Sequence, residues 1–172
     1  LRAAAINAVE VAEVANTQAS VDAATDAIAE LPDGLLKTLL APRATAVGVV
    51  VAAVETAVDA AEAANTQVTV DAASALVDEL PAGAGKTAFG ARVAAVQVIV
   101  NGGNAAVALA SAIAAANAAV ASDTSADLAT ATTLVNALPA SSIKDALEDV
   151  LAAQADVIAA NTAKATALAA QA

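Results

Sequence analysis

Carboxylates are the first residues in this chain whose spacing suggests chemistry. Glu10 and Glu13, then Glu55, Asp59 and Glu62, then Asp145, Glu148 and Asp149 recur at steps of three and four, which puts them on one face of a helix. A pair of carboxylates could work a glycosidic bond, but that needs opposed groups across a cleft and usually aromatic platforms for the sugar. The only aromatic residue is Phe89. Calcium favours loops that wrap oxygen ligands round the ion, and these acids have no such loop. They read as solvated helix faces.

Gly83-Ala84-Gly85-Lys86-Thr87 is the second candidate, since it resembles the end of a phosphate-binding loop. That loop needs another Gly at the position of Leu80 and a strand before it, so that backbone N–H groups curl round the phosphates. Here the preceding segment is helical in pattern, and the segment reads as a helix start that has drifted to Gly. The cations Lys37, Lys86 and Lys144, and Arg43 and Arg92, recur at matching positions. They are expected to sit opposite Asp22/Asp71 or Glu30/Glu79 and fix helix pairing, as ion pairs of modest value if exposed.

The missing residue types narrow the field further. The chain has no Cys, His, Met, Trp or Tyr, which removes thiol nucleophiles, imidazole bases and soft metal ligands. No catalytic, cofactor-binding or metal-ligating residue is assigned, no cofactor is expected, and the reading is non-enzymatic. A net charge of −11 argues against nucleic acid, whose phosphates call for clustered Lys and Arg, and against anionic membrane surfaces. No Asn-x-Ser/Thr sequon occurs, and the Thr residues lack the regular spacing of an ice-binding face. Charged residues are 15 % and Pro is scarce, so the chain does not belong to the disordered class.

The elements that must position these groups come as repeats. A shift of 49 residues maps Asn16-Thr17-Gln18 onto Asn65-Thr66-Gln67, Val21-Asp22-Ala23-Ala24 onto Val70-Asp71-Ala72-Ala73, and Glu30-Leu31-Pro32 onto Glu79-Leu80-Pro81. A further shift of 58 maps Leu76-Val77 onto Leu134-Val135, Leu80-Pro81 onto Leu138-Pro139, and Lys86 onto Lys144. Each copy reads as three helices. Val47, Val51, Val54, Val58 and Ala61 form an apolar seam that runs into the first helix of copy two. The second helices carry Val21-Ala24-Ile28-Leu31, Val70-Ala73-Val77-Leu80 and Leu128-Ala131-Val135-Leu138. The third carry Leu36, Leu40 and Val47 in copy one, and Ile143, Leu147, Val150, Leu151 and Ile158 in copy three.

The punctuation agrees with this division. Thr17, Thr66 and Thr124, or the neighbouring Asn16, Asn65 and Asp123, stand where the second helices need an N-cap. Leu-Pro closes those helices, and Asp33-Gly34, Ala82-Gly83 and Ser141-Ser142 provide the following turn. No turn signal lies between Ala44 and Ala64, so the last helix of copy one is expected to run into the first of copy two. Pro42 should kink that helix or delay its start. Asn101-Gly102-Gly103-Asn104 should break the next junction and form a hinge. Between Arg92 and Asp123 there is no charge. That run has too few Leu, Ile or Phe for a spanning helix of about 20 strongly apolar residues, and is expected to be a bundle helix. The last helix should reach from Ser142 to about Ala170, and both chain ends suggest a segment of something longer.

With these motifs in place, the pattern Asn-Thr-Gln, Val-Asp-Ala-Ala, Leu-Pro-x-Gly, Lys-Thr and Arg resembles tandem three-helix-bundle modules of Gram-positive surface-layer proteins and cell-wall adhesins. The resemblance covers 15–51 and 64–100 well and 122–158 more weakly. It departs at Ala129, where the Asp of Val-Asp is lost, and at Pro42. It implies a spacer, wall-attachment or lattice-forming role outside the cell, with no catalytic residues to carry over.

The expected fold is all-α: three tandem three-helix bundles in an elongated array, over 1–49, 50–102 and 103–172, with a helix shared between copies one and two. Its expected partners are itself or neighbouring repeats of a longer chain, or a cell-wall polymer or host protein. The alternative is a three-helix binding module that captures a host protein or wall polymer. A binder should expose an apolar or mixed patch in one copy only, whereas a spacer should show the same face in all three.

Overall fold

Ala is the best helix former, and in the computed structural model, which describes residues 1–169, all regular structure among the described residues is helical. The elements are α1 (Arg2–Ala15), α2 (Gln18–Ala29), α3 (Leu35–Ala64), α4 (Gln67–Glu79), α5 (Ala84–Ser122), α6 (Ser125–Asn136) and α7 (Ser142–Ala169). The fold is all-α. The expected end of α7 at Ala170 lies outside the described residues.

Thr decides where the second helix of each copy begins. Thr17 Oγ1 accepts from the amide of Ser20 at 3.3 Å, Thr66 Oγ1 from Thr69 at 3.4 Å, and Thr124 Oγ1 from Asp127 at 3.2 Å. Around Thr17 the Ser20 hydroxyl completes a capping box. The residue before each Thr does different work. Asn16, Asn65 and Asp123 are left-handed, with φ of 49°, 50° and 53°, and end the helix before them. Asn and Asp tolerate that conformation better than other residues with a Cβ. In the first two copies the amide side chain turns back on that helix: Asn16 Nδ2 donates to Glu13 O at 2.6 Å and Asn65 Nδ2 to Glu62 O at 3.0 Å.

The chain divides into two compact units, Leu1–Val100 and Asn101–Ala172. In the first unit α1 packs on α2 and α3, α2 on α3, and α3 on α4. Their buried residues form one core. It contains Ala5-Val9-Ala12, Val21-Ala24-Ile28-Leu31, Leu40-Ala44-Val47-Val51, Val54-Val58-Ala61, Val70-Ala73-Val77-Leu80 and Phe89-Val93-Val96-Val100. The seam and second-helix stripes named from the sequence are therefore buried here, with Leu36 half-buried against them. The second unit has its own smaller core of Ala112, Ala116, Ala119, Ala131, Val135, Leu138 and Leu151. Leu128 and Leu147 pack against it, but Ile143 and Val150, expected in that seam, are exposed.

Helix α3 runs unbroken from Leu35 to Ala64, across the boundary between copies one and two. Pro42 does not delay its start. The helix begins seven residues earlier, and what Pro42 removes is one amide, leaving the Thr38 carbonyl without its usual i+4 donor. The expected break at Asn101–Asn104 is also absent, because these residues lie inside α5. A Gly in a helix interior costs about 1 kcal/mol relative to Ala. Two do not outweigh a helix already propagating through the Ala- and Val-rich flanks. Both α3 and α5 are long and apolar enough to cross a membrane by length and composition. In α3 the apolar residues supply the buried stripe from Leu40 to Ala61.

Candidate functional site

The recurring charged residues are used for joining helices. Arg43 on α3 grips Glu13 on α1 with two parallel bonds, Nε to Oε1 at 2.8 Å and Nη2 to Oε2 at 2.7 Å. One repeat later Arg92 does the same to Glu62, at 2.7 and 2.8 Å, and adds Asp59 at 2.6 Å. Two-point contact of this kind is the geometry for which guanidinium is suited. It lowers the pKa of Glu13, chiefly through the hydrogen bonds from Arg43, and that of Glu62, chiefly through those from Arg92. The guanidinium of Arg92 is held more firmly charged by Glu62 first and Asp59 second. The partners differ from those expected. Asp22 and Asp71 instead accept from Gln18 at 2.7 Å and from Gln67 at 2.8 Å, one turn away on their own helices.

The three Lys residues cap helix ends. Lys37 Nζ donates to the carbonyls of Ala29 at 3.4 Å and Leu31 at 3.1 Å. Lys86 Nζ reaches Asp78 at 2.6 Å and Leu80 at 3.1 Å. Lys144 Nζ reaches Asn136 at 2.9 Å and Leu138 at 3.0 Å. Each ammonium thus satisfies the last carbonyls of α2, α4 or α6, and sits at the negative end of that helix's dipole. The sequence did carry the signal: each Lys stands five residues after the Pro of Leu-Pro.

The phosphate-loop lookalike has a different use. Lys86 is taken up by the end of α4, and Thr87 Oγ1 bonds back to Gly83 O at 3.1 Å. The two glycines lie hard against the α1–α2 corner. A Cβ on Gly83 would collide with the carbonyl oxygen of Val14, and one on Gly85 with the carbonyl oxygen of Asn16. The corner of copy one is thereby covered, and Asn16 is buried. The corresponding Asn65 is exposed. Only copy two has Gly at both positions; copy one has Gly34 and Leu36, and copy three Ser141 and Ile143.

Copy three departs elsewhere too. Val120 and Val150 stand where Glu62 and Arg92 stand in copy two. At the position of the buried Val47 and Val96 it has Gln154, itself buried, whose Nε2 donates to Asp123 Oδ1 at 2.5 Å. Among the described residues no buried side-chain N or O atom lacks a partner, and no group of three acidic residues is placed to hold a metal ion. A groove of about 390 Å³ runs past Arg2, Leu31, Pro32, Leu35 and Leu39, and presents one guanidinium and one carboxylate, Asp33, on an otherwise apolar wall.

Compared with known proteins, the chain matches no family model, no curated protein and no solved structure. Its function is therefore argued from its own geometry. That geometry ties helix to helix through Arg–Glu bridges, Lys caps and a glycine joint.

Proposed function

We propose that the chain is a non-enzymatic structural array of three tandem three-helix modules, forming a spacer or lattice-forming segment of a secreted surface protein. One observation carries the reading: neighbouring copies are built to be rigid with respect to each other at the first junction. Helix α3 belongs to both copies, and the Gly83–Gly85 turn of copy two is seated on the Val14–Asn16 corner of copy one. A module evolved for solitary binding has no need of such a joint, whereas a repeat array transmits its stability from neighbour to neighbour through it. The recurring charges support the same reading, since all five are engaged with helix ends or neighbouring helices of the chain itself. The resemblance of the Leu-Pro and Val-Asp-Ala-Ala motifs to bacterial surface modules supports reading the array as extracellular.

The test is a pull-down of the whole chain against purified wall polysaccharide and serum proteins. An array of this kind should capture none of them at about micromolar affinity. Saturable capture at that level, unchanged when Val120 and Val150 are replaced, would overturn the reading in favour of a dedicated binding module.

A further inference from the structure

In copies one and two the seam between the first and third helices is closed on its outer side by charge, Glu13 with Arg43 and Glu62 with Arg92. In copy three both partners have become Val together. Val120 and Val150 are 47 % and 45 % exposed. They are continued one heptad away by Ile113 on α5 and Val157 on α7, 39 % and 44 % exposed. Asp59 is replaced by Asn117 and Glu55 by Ile113, so the α5 side of the seam carries no charge at all. Losing one member of an ion pair is ordinary drift. The position of Val157 is exposed and apolar in the other copies too, as Val50 and Ile99, and that of Ile113 is the exposed Ile6 in copy one. What copy three alone adds is Val120 and Val150 in place of the ion pair, which join these residues into a longer apolar stripe.

The patch has a measurable shape. On each helix the exposed pairs, Ile113/Val120 and Val150/Val157, lie seven residues apart, about 10 Å along the axis. That is the interval between the i and i+7 anchors of a helix laid in an apolar groove. It also has a charged edge. Asp149 and Asp156 each immediately precede an anchor, Val150 and Val157, and so lie about 100° round α7 from it, on the outer rim, in a chain of net charge −11.

We propose that the α5–α7 face of copy three is a docking groove for an amphipathic helix with a Leu-type apolar stripe bordered by Lys or Arg. The basic edge complements the Asp edge of α7, and the anchors seat on Ile113, Val120, Val150 and Val157. Charge selects this occupant over a second copy of the chain, which would bring the same Asp row against itself. The inference goes beyond the array reading, to which it adds one point of attachment.

Titration calorimetry of the whole chain with two synthetic helical peptides tests it. They share one Leu stripe and differ only in having Lys or Glu along its edge. The Lys-edged peptide should bind one to one with a Kd below about 1 mM, and the Glu-edged peptide about tenfold more weakly or not at all. The double variant Val120→Glu/Val150→Arg, which restores the pair of the other copies, should keep its helicity and lose the binding by about tenfold or more. Val120→Ser/Val150→Ser should lose it likewise and guards against a fold effect of the charged pair. No binding of the Lys-edged peptide, equal binding of both peptides, or binding indifferent to both double variants would each overturn the proposal. So would sedimentation showing that the chain alone dimerises through these residues. None of those results bears on the array reading, which depends on wall polymer and serum proteins.

Discussion

Alanine substitution at individual glycines should change stability with a sign that depends on position. Outside tight contacts, Gly→Ala in a helix is worth about 0.5–1 kcal/mol of stabilisation, because Ala loses less backbone freedom on folding. Gly102 and Gly103 lie inside α5 with nothing within 4 Å of a new Cβ, so each substitution should stabilise by about that amount. At Gly48 the new Cβ meets Val21 Cγ1 at 3.2 Å, a terminal methyl that can yield, and the two effects should nearly cancel. At Gly83 the obstacle is the Val14 carbonyl, with its carbon at 3.2 Å and Ala15 Cα at 3.5 Å. At Gly85 it is the Asn16 carbonyl, with its carbon at 2.7 Å and Ala15 O at 2.8 Å. These are backbone atoms and cannot rotate away, so the joint must open. Overpacking of this kind costs about 1–3 kcal/mol. Gly83→Ala should therefore destabilise by about 2 kcal/mol, and Gly85→Ala by somewhat less, because it stands in the first turn of α5 and recovers part of the loss as helix propensity. For a unit of 100 residues, 2 kcal/mol corresponds to about 8–16 °C in Tm. Urea and thermal unfolding followed by far-UV circular dichroism would measure all five variants. If Gly83→Ala were as stable as the parent chain, or Gly102→Ala as damaging as Gly83→Ala, the joint would not exist as described.

Other predictions follow from the caps and ion pairs. Thr17→Ala, Thr66→Ala and Thr124→Ala should each cost about 1 kcal/mol, and equilibrium unfolding should rank them below any substitution at the exposed Thr56. Lys37→Met, Lys86→Met and Lys144→Met each strip a charged donor from two helix-end carbonyls and should cost about 0.5–1.5 kcal/mol. Replacement by Arg, whose planar fork does not match that geometry, should recover only part of it by the same assay. Glu13 and Glu62 titrate below the ordinary 4.5 because their Arg partners hold the charged form. Their contribution is complete above that value and disappears as pH falls through the lowered one. Acid titrations of the whole chain should therefore lose part of their low-pH destabilisation in a Glu13→Gln/Glu62→Gln variant, and an acid limb unaltered by the two substitutions would count against the bridges.

How much of this was legible in the sequence depended on the range of the interaction. Steps of three and four located the Val21–Leu31 and Val70–Leu80 stripes, and the uninterrupted run from Ala44 to Ala64 implied α3, because helical periodicity is local. Which residue of Asn16-Thr17 would cap was ambiguous, since both types are good N-caps. The geometry resolves it by giving the left-handed position to Asn and the extended one to Thr. The Arg partners were missed for a different reason. Arg43 and Glu13 are thirty residues apart, as are Arg92 and Glu62, and only the packing of a third helix against a first brings them together. The role of Gly83 and Gly85 depended on a neighbour still further away in sequence, and nothing local distinguishes a glycine that admits a carbonyl from one that cradles a phosphate. At Asn101–Asn104 the error came from weighing Gly alone. Each Gly is a local penalty, and in a helix flanked by Ala the cooperative gain of continuing exceeds it.

The division of labour among these interactions explains why copy three could change its surface and still fold. The Thr cap and the Lys cap are present in all three copies, with bond lengths in copy three that match the other two, so they are the devices on which helix ends depend. The Arg–Glu bridge lies on the exposed side of the seam, where an ion pair contributes little to stability. The buried layers beneath it, Ala112, Ala116 and Ala119 against Leu151, persist without it. Selection at those outer positions is therefore released from folding. It is there that Val120 and Val150 stand, exposed, where the other copies carry an ion pair. For that reason the peptide titration, more than any stability measurement, separates a uniform spacer from an array with a point of attachment.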